Sequence, residues 1–103
     1  MNSKFVILFV SLFLGALNAY SATIKTTNSD YVAAFSEKDL DRAISYVSDG
    51  DKDAFNQIIA SGRVFLLKAG MKVYVVDSTW TGKVKIRPQG KTIEIWTVKE
   101  ALR

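Results

Sequence analysis

Residues 71–98 read MKVYVVDSTWTGKVKIRPQGKTIEIWTV, and this stretch decides which fold the sequence predicts. Apolar and polar residues alternate in three parts of it, at 71–77, 83–87 and 92–98. A period of two residues is typical of strands that bury one face against a core. A shorter apolar run at 63–67 adds one more strand. The second half of the chain therefore predicts a small set of short antiparallel strands.

Two short links join these strands. The first, 78–82, reads STWTG, and the second, 87–90, reads RPQG. In the second link Pro88 and Gly90 occupy the positions that a type I turn favours for proline and glycine. Links this short predict that consecutive strands are antiparallel neighbours.

The segment before the strands has helical spacing. A capping-box sequence, SEKD, at 36–39 begins one helix, which ends at Gly50. A second helix begins at Asp51 or Asp53, where a carboxylate favours the positive end of the helix dipole. We expect the two helices to form an αα-hairpin over 36–62. Their apolar stripes consist of Leu40, Ile44 and Val47 in the first helix, and of Phe55, Ile58 and Ile59 in the second.

The N-terminal segment has the features of an export signal. Its apolar run, FVILFVSLFL at 5–14, is shorter than the roughly 20 residues that a spanning helix needs. Small residues follow the run, as at a signal-peptidase site. We expect cleavage after Ser21, with Ala19 and Ala22 as the other choices, and we assign 1–22 to the signal-peptide segment. The mature protein would then be periplasmic or extracellular. The alternative is an uncleaved membrane anchor.

The remainder is expected to form one domain without a further membrane span. We assign 23–35 to a leader with a short helical start, 36–62 to the helices and 63–103 to the strands. The chain has no cysteine, so no disulfide framework stabilises it and the core must do so. A single domain over 36–103 follows.

Several kinds of chemistry lack their usual residues. The chain has no histidine and no cysteine, which removes the commonest general base, the commonest zinc ligand and the thiol nucleophile. Asp49, Asp51 and Asp53 have the spacing of a calcium loop, but the twelfth position of that loop is Ala60 instead of glutamate. Helix capping explains these aspartates better. We therefore predict no catalytic residue, no metal site and no cofactor.

Charge is distributed unevenly along the chain. Residues 23–62 carry a net charge of −3, and residues 63–103 carry +6. The two halves either pair with each other or present a basic face to an anionic partner. Nucleic acid is not an expected partner, because an exported protein does not meet it.

Within the strand region, 66–102 is similar to the bacterial SH3-like (SH3b) domains of exported proteins. The likeness lies in the KAGMKV entry to a strand at 68–73, the Trp80 loop, the 83–86 strand, the Gly90-Lys91 turn, and Trp96-Thr97-Val98 with a closing turn that ends at Leu102. The resemblance implies a small, strongly bent β-barrel with a binding role towards cell-wall peptide or a protein partner. The opening strand and long first loop of such domains are missing from the sequence pattern. The expected fold class is therefore α+β, with an N-terminal helical hairpin followed by a small antiparallel SH3-like β-barrel.

Six side chains of the strand region are the candidate ligand-binding residues. The aromatic ones are Tyr74, Trp80 and Trp96, which either form a stacking platform or, for Tyr74 and Trp96, lie beneath the helices. The basic ones are Lys83, Lys85 and Arg87, which form either a binding row or an ordinary solvated strand face.

The function expected from these features is that of an exported, non-catalytic binding or accessory module of the bacterial envelope. Its partner would be a protein segment or a cell-wall peptide. The alternative is a periplasmic or secreted inhibitor or immunity-type protein that blocks a partner enzyme with a loop such as 78–82. The sequence leaves the oligomeric state open.

Overall fold

The computed structural model describes residues 23–103, so the predicted signal peptide lies outside the described residues. The strands are β1 (Thr23–Thr26), β2 (Val32–Ala34), β3 (Val64–Leu66), β4 (Lys72–Ser78), β5 (Lys83–Pro88) and β6 (Ile95–Val98). The helices are α1 (Glu37–Asp49) and α2 (Lys52–Ala60), and a 3-10 turn (Lys99–Ala101) follows β6. In this part of the chain no helix is both long and apolar enough to cross a membrane.

All six strands belong to one antiparallel sheet, in the order β1-β4-β5-β6-β2-β3. The hairpins β4–β5 and β5–β6 confirm the neighbours that the two short links predict. The strand β4 contains a register irregularity between Val75 and Asp77, which bends it.

The expected order of elements is wrong. The two helices do not precede the strands, because they lie between β2 and β3 in the chain. Residues 23–35, expected to be a leader and a short helical start, form β1 and β2 instead. Their strand character comes from distant partners, since Thr23 pairs with Val75 and Ala33 pairs with Thr97. Periodicity within so short a segment does not reveal such pairing.

The sheet curls so that the end of β1 reaches the residues after β6. Thr26 and Arg103 each donate a backbone hydrogen bond to the other, at 2.9 Å. Thr27 forms an isolated bridge with Leu102. These bonds join the first and last described segments, although β4 and β5 lie between β1 and β6 in the sheet.

The strand β2 separates two parts of the core. Ala33 faces the inside of the curled sheet, and Ala34 faces the helices; both are fully buried. The inner part contains Val73, Val84, Ile86 and Ile95, together with Leu67 and Ala101. The helix-side part contains Leu40, Ala43, Ile58 and Val64. The helices therefore cover only the β6-β2-β3 half of one sheet face.

The helix ends agree with the local sequence signals. The Ser36 hydroxyl accepts a hydrogen bond from the Asp39 N–H at 3.1 Å, and α1 ends at Gly50 with a left-handed φ of 70°. The Asp51 carboxylate accepts from the Ala54 N–H at 3.1 Å, which caps α2. The capping role expected of Asp51 is thus confirmed.

Candidate functional site

The strands β4, β5 and β6 carry five of the six predicted site residues, and the link between β4 and β5 carries Trp80. Two cross-strand pairs lie side by side on one face of this sheet: Tyr74 is opposite Arg87, and Lys85 is opposite Trp96. We call these four side chains the sheet row. Each cation of the sheet row makes a cation–π contact. The Arg87 guanidinium carbon is 4.7 Å from the Tyr74 ring centroid, and the Lys85 Nζ is 5.5 Å from the Trp96 ring centroid.

The helices cover one end of the sheet row. Trp96 is half-buried and packs against the helix-side core, as the alternative reading of the sequence expected. Tyr74 is also half-buried, but its hydroxyl is 3.5 Å from the amide of Gln89, at the end of the row away from the helices. The two rings are separated by the side chains of Arg87 and Lys85. They therefore do not form a continuous aromatic platform.

Lys83 is engaged with the first helix. Its Nζ lies 2.8 Å from the Asp41 Oδ1 and 2.7 Å from the Glu37 Oε2. Hydrogen bonds to the carboxylates of Asp41 and Glu37 raise the pKa of Lys83 above its usual range. The ion pairs join the acidic first half of the chain to the basic second half. Lys83 therefore connects α1 to β5 and contributes little free positive charge.

The other two cations of the predicted basic row also have internal partners. The Lys85 Nζ is 3.5 Å from the Glu94 Oε1. Arg87 donates to the backbone carbonyl of Lys91 at 2.8 Å. Both side chains remain partly exposed, so each is able to bind an anion, but only in competition with these contacts.

Trp80 lies at the tip of the β4–β5 hairpin and is 97% exposed. The loop beneath it is cross-linked by hydrogen bonds. The Thr79 N–H donates to the Lys83 carbonyl at 2.8 Å, and the Thr79 hydroxyl accepts from the Lys83 N–H at 3.1 Å. The hydroxyls of Thr79 and Thr81 are 2.8 Å apart, and Gly82 has a φ of 94°. An ordered loop thus holds a large aromatic ring in solvent.

A cavity that the sequence did not reveal opens at the end of the curled sheet beside the base of this hairpin. Its volume is about 380 Å³. Its apolar lining consists of Val75, Val84 and Leu102, and its polar lining of Thr23, Lys25, Ser78 and Lys99. These residues come from β1, β4, β5 and the C-terminal segment. No local motif connects them, so only the folded chain brings them together.

Asp77 and Glu94, two acidic residues of the strand region, do not lie close enough together to act as a pair. Asp77 lies on β4 and its carboxylate accepts from the Ser78 N–H at 2.8 Å. Glu94 precedes β6, on the other side of β5, and contacts Lys85. Two sheet spacings, roughly 10 Å, separate the strands that flank β5. Within residues 23–103, no three His, Cys, Asp or Glu side chains are grouped as metal ligands.

No protein-family model matches the chain, and no match was found among curated proteins or solved structures. The resemblance of 66–102 to SH3b domains therefore stays a prediction.

Proposed function

We propose that this protein is an exported, non-catalytic binding module of the bacterial envelope that contacts a protein segment or a cell-wall peptide through Trp80. The observation that carries the proposal is the 97% exposure of this side chain. Tryptophan is enriched among the residues that dominate binding energy, because its burial removes a large apolar area from water. Because the Trp80 ring is exposed in the folded protein, nearly all of its apolar area is still in contact with water and would be removed from water only when a partner binds.

The ordered loop should also increase the affinity of a contact made through Trp80. Thr79 makes hydrogen bonds to Lys83 and Thr81 that limit the conformations of the link. A loop already in its bound conformation loses less entropy when a partner binds. The partly exposed cations of the sheet row, Lys85 and Arg87, lie on β5 of the same hairpin.

The envelope part of the proposal rests on the sequence alone. The apolar run at 5–14 and the small residues after it support export, and the SH3b resemblance supports a binding role.

Replacement of Trp80 tests the proposal. In affinity capture from the native envelope, Trp80→Ala should weaken retention of the partner by about 30-fold, the effect of losing a contact of about 2 kcal/mol. The melting temperature should not change, because the ring contributes almost nothing to the core. Val47→Ala, at an exposed apolar position on α1, is the matched control and should bind normally. Normal capture by Trp80→Ala, or loss of folding, would contradict the proposal.

The second candidate is an inhibitor or immunity-type protein that inserts the link at 78–82 into a partner enzyme. The hydrogen bonds of Thr79 favour it, since a rigid loop is what blocks a cleft. Thr79→Val removes the hydroxyl bonds while keeping Trp80. If the protein acts as an inhibitor, the unaltered protein should block its partner enzyme in an activity assay and Thr79→Val should block it less well; a binding module should block no enzyme.

A further inference from the structure

Within residues 23–103, the helices cover only part of the sheet face on which they lie. The helix α1 packs against β6, β2 and β3, and α2 packs against β3, so the part of this face on β1, β4 and β5 is left uncovered. Ile24 and Val76 lie there, with 53% and 44% of their surface exposed. Tyr74 lies between them, since it is opposite Ile24 and two residues before Val76 on β4. These three side chains form an apolar patch on what we call the open face.

A bulge in β4 places Val76 on the open face. Val75 is opposite the buried Ile86, and Asp77 is opposite Lys85, so Val76 is an extra residue between the two pairs. Because Val75 packs against the inner core, Val76 faces the other way. The bulge therefore adds an exposed apolar side chain to the patch.

Cations flank the patch at the end of the open face that is away from the hairpin tip. Arg87 is opposite Tyr74, and Lys72 is two residues before Tyr74 on β4, so Arg87 and Lys72 are diagonal neighbours roughly 7 Å apart. Neither of these cations has a carboxylate within 4.0 Å among residues 23–103. Lys85 has such a partner, and Asp77 lies near the hairpin end of β4. The unbalanced positive charge of the open face is therefore at Arg87 and Lys72.

The covered half of the same face shows what kind of element this surface accepts. There α1 lies on the sheet, and its Glu37 and Asp41 carboxylates, one turn apart, bind the ammonium group of Lys83. Carboxylates four residues apart on a helix are separated by about 6 Å along its axis, which suits cations roughly 7 Å apart. A second helix with the same spacing would bring one carboxylate to Arg87 and the other to Lys72.

The open face has room for one more helix beside α1. Because α1 packs against β6, β2 and β3, its axis passes near the middle strand of these, β2. In the sheet β5 is two strands away from β2, a distance of about 10 Å, and this is also the distance between the axes of packed helices. A helix over β5 would therefore lie against α1 on one side and cover Tyr74 and Val76 on the other.

We propose that the open face docks an acidic amphipathic helix of a partner protein. The apolar stripe of that helix packs on the patch, and two of its carboxylates, one turn apart, bind Arg87 and Lys72. This inference rests on the protein-binding form of the proposed function and gives the chemistry of the partner. Pairing of two open faces in a dimer is disfavoured, because it would bring cations against cations. Since β4 leads from the open face into the link that carries Trp80, one partner is able to contact both.

The test uses protein obtained by expressing the complete 103-residue chain and labelling it with ¹⁵N. The probe is an acetylated, amidated peptide of three Leu-Glu-Ala-Leu-Ala-Glu-Ala repeats, in which glutamates border a leucine stripe along a helix. The control peptide has lysine in place of each glutamate, so it keeps the stripe and reverses the charge. We expect the glutamate peptide to shift the amide signals of Tyr74, Val76 and Arg87. The lysine peptide should bind at least about tenfold more weakly.

Charge-reversal variants locate the carboxylates. Lys72→Glu and Arg87→Glu should each weaken binding of the glutamate peptide by about tenfold, and the double variant should bind the lysine peptide instead. Arg87→Lys keeps the charge and should bind the glutamate peptide nearly as well as the unaltered protein does. Lys68→Glu, at an exposed position between β3 and β4, is the matched control and should bind normally. The spectra show directly whether each variant is folded.

Four results would overturn the inference. Equal binding of the two peptides would show that carboxylates are not recognised, and shifts confined to another surface would place the binding elsewhere. Shifts of the same signals with protein concentration, in the absence of peptide, would assign the open face to a second copy. Sedimentation with vesicles of phosphatidylglycerol and phosphatidylcholine, if Lys72→Glu reduced it, would assign the face to a membrane.

The Trp80→Ala capture experiment separates this failure from that of the proposed function. If capture requires Trp80 but the two peptides bind equally, only the helix-docking inference is wrong. If the glutamate peptide is preferred as expected while capture survives Trp80→Ala, only the Trp80 contact is wrong.

Discussion

Thr27 is a fully buried threonine whose hydroxyl connects the start of the domain to the link between β3 and β4. The hydroxyl donates to the Lys68 carbonyl at 2.6 Å and accepts from the Met71 N–H at 2.9 Å. Buried polar groups are stable in a core only when they are hydrogen-bonded. The Thr27 hydroxyl makes two hydrogen bonds, and these fix the place where β1 ends and the chain turns towards β2.

Replacing Thr27 with valine keeps the volume of the side chain but removes both bonds. The Lys68 carbonyl and the Met71 N–H then lose a partner, so we expect the free energy of unfolding to fall by about 1–3 kcal/mol. Urea denaturation followed by circular dichroism measures this loss. Thr92→Val, at an exposed position, should change the stability by less than about 0.5 kcal/mol. Equal effects of the two variants would show that the buried hydroxyl has no special role.

At the scale of elements, Lys83 joins α1 to β5. It contacts Glu37 and Asp41, which lie one turn apart on the helix, so a single ammonium group joins two helix carboxylates to the sheet. Lys83→Met keeps most of the apolar stem and removes the charge. We expect the stability at pH 7 to fall by no more than about 1 kcal/mol, because the partner carboxylates are solvent-exposed. High salt should reduce the difference from the unaltered protein.

The same contact predicts a pH dependence. The pKa of Lys83 is higher in the folded state than in the unfolded state, because the carboxylates favour its charged form. Its contribution to stability is therefore fully present below the unfolded pKa of about 10.4 and is lost as the pH rises through the folded value. Denaturation midpoints measured from pH 8 to pH 12 should decline less steeply for Lys83→Met. Parallel curves would mean that the ion pairs do not stabilise the fold.

At the scale of the whole molecule, the helical hairpin is a cover for half of one sheet face. It is inserted between β2 and β3, which pair directly with each other: Ala34 is opposite Val64. The Phe35 N–H also donates to the Arg63 carbonyl, so the strand ends already meet without the helices. The insertion buries Ala34, Val64 and part of Trp96.

Replacing residues 36–62 with a two-residue Asn-Gly turn tests what the cover contributes. The turn suits the antiparallel ends of β2 and β3, so the sheet should still form. We expect a lower urea midpoint and binding of a hydrophobic dye, because the helix-side core is exposed. In a Trp80→Phe background, the fluorescence of Trp96 should shift to longer wavelength. Unchanged fluorescence would show that the helices do not shield this ring.

The site was predicted in part. The sequence placed Trp80 in a link between strands, where the structure has it. It also raised the alternative that the helices cover Tyr74 and Trp96, which the structure bears out for Trp96 but not for Tyr74. The ion pairs of Lys83 with Glu37 and Asp41 were not predicted, because these carboxylates are more than 40 residues away from Lys83 in the chain. The end cavity was missed for the same reason.

The sequence by itself determined those features that depend on residues close together in the chain. The Ser36 and Asp51 caps act over three residues, and the short links at 79–82 and 89–94 join strands that pair with each other. The tertiary structure alone decided the position of the helices within the sheet, because β1 and β2 are too short to show a period and pair with residues at least 30 positions away. Strand pairing of that kind is a contact between distant segments, and no local pattern encodes it.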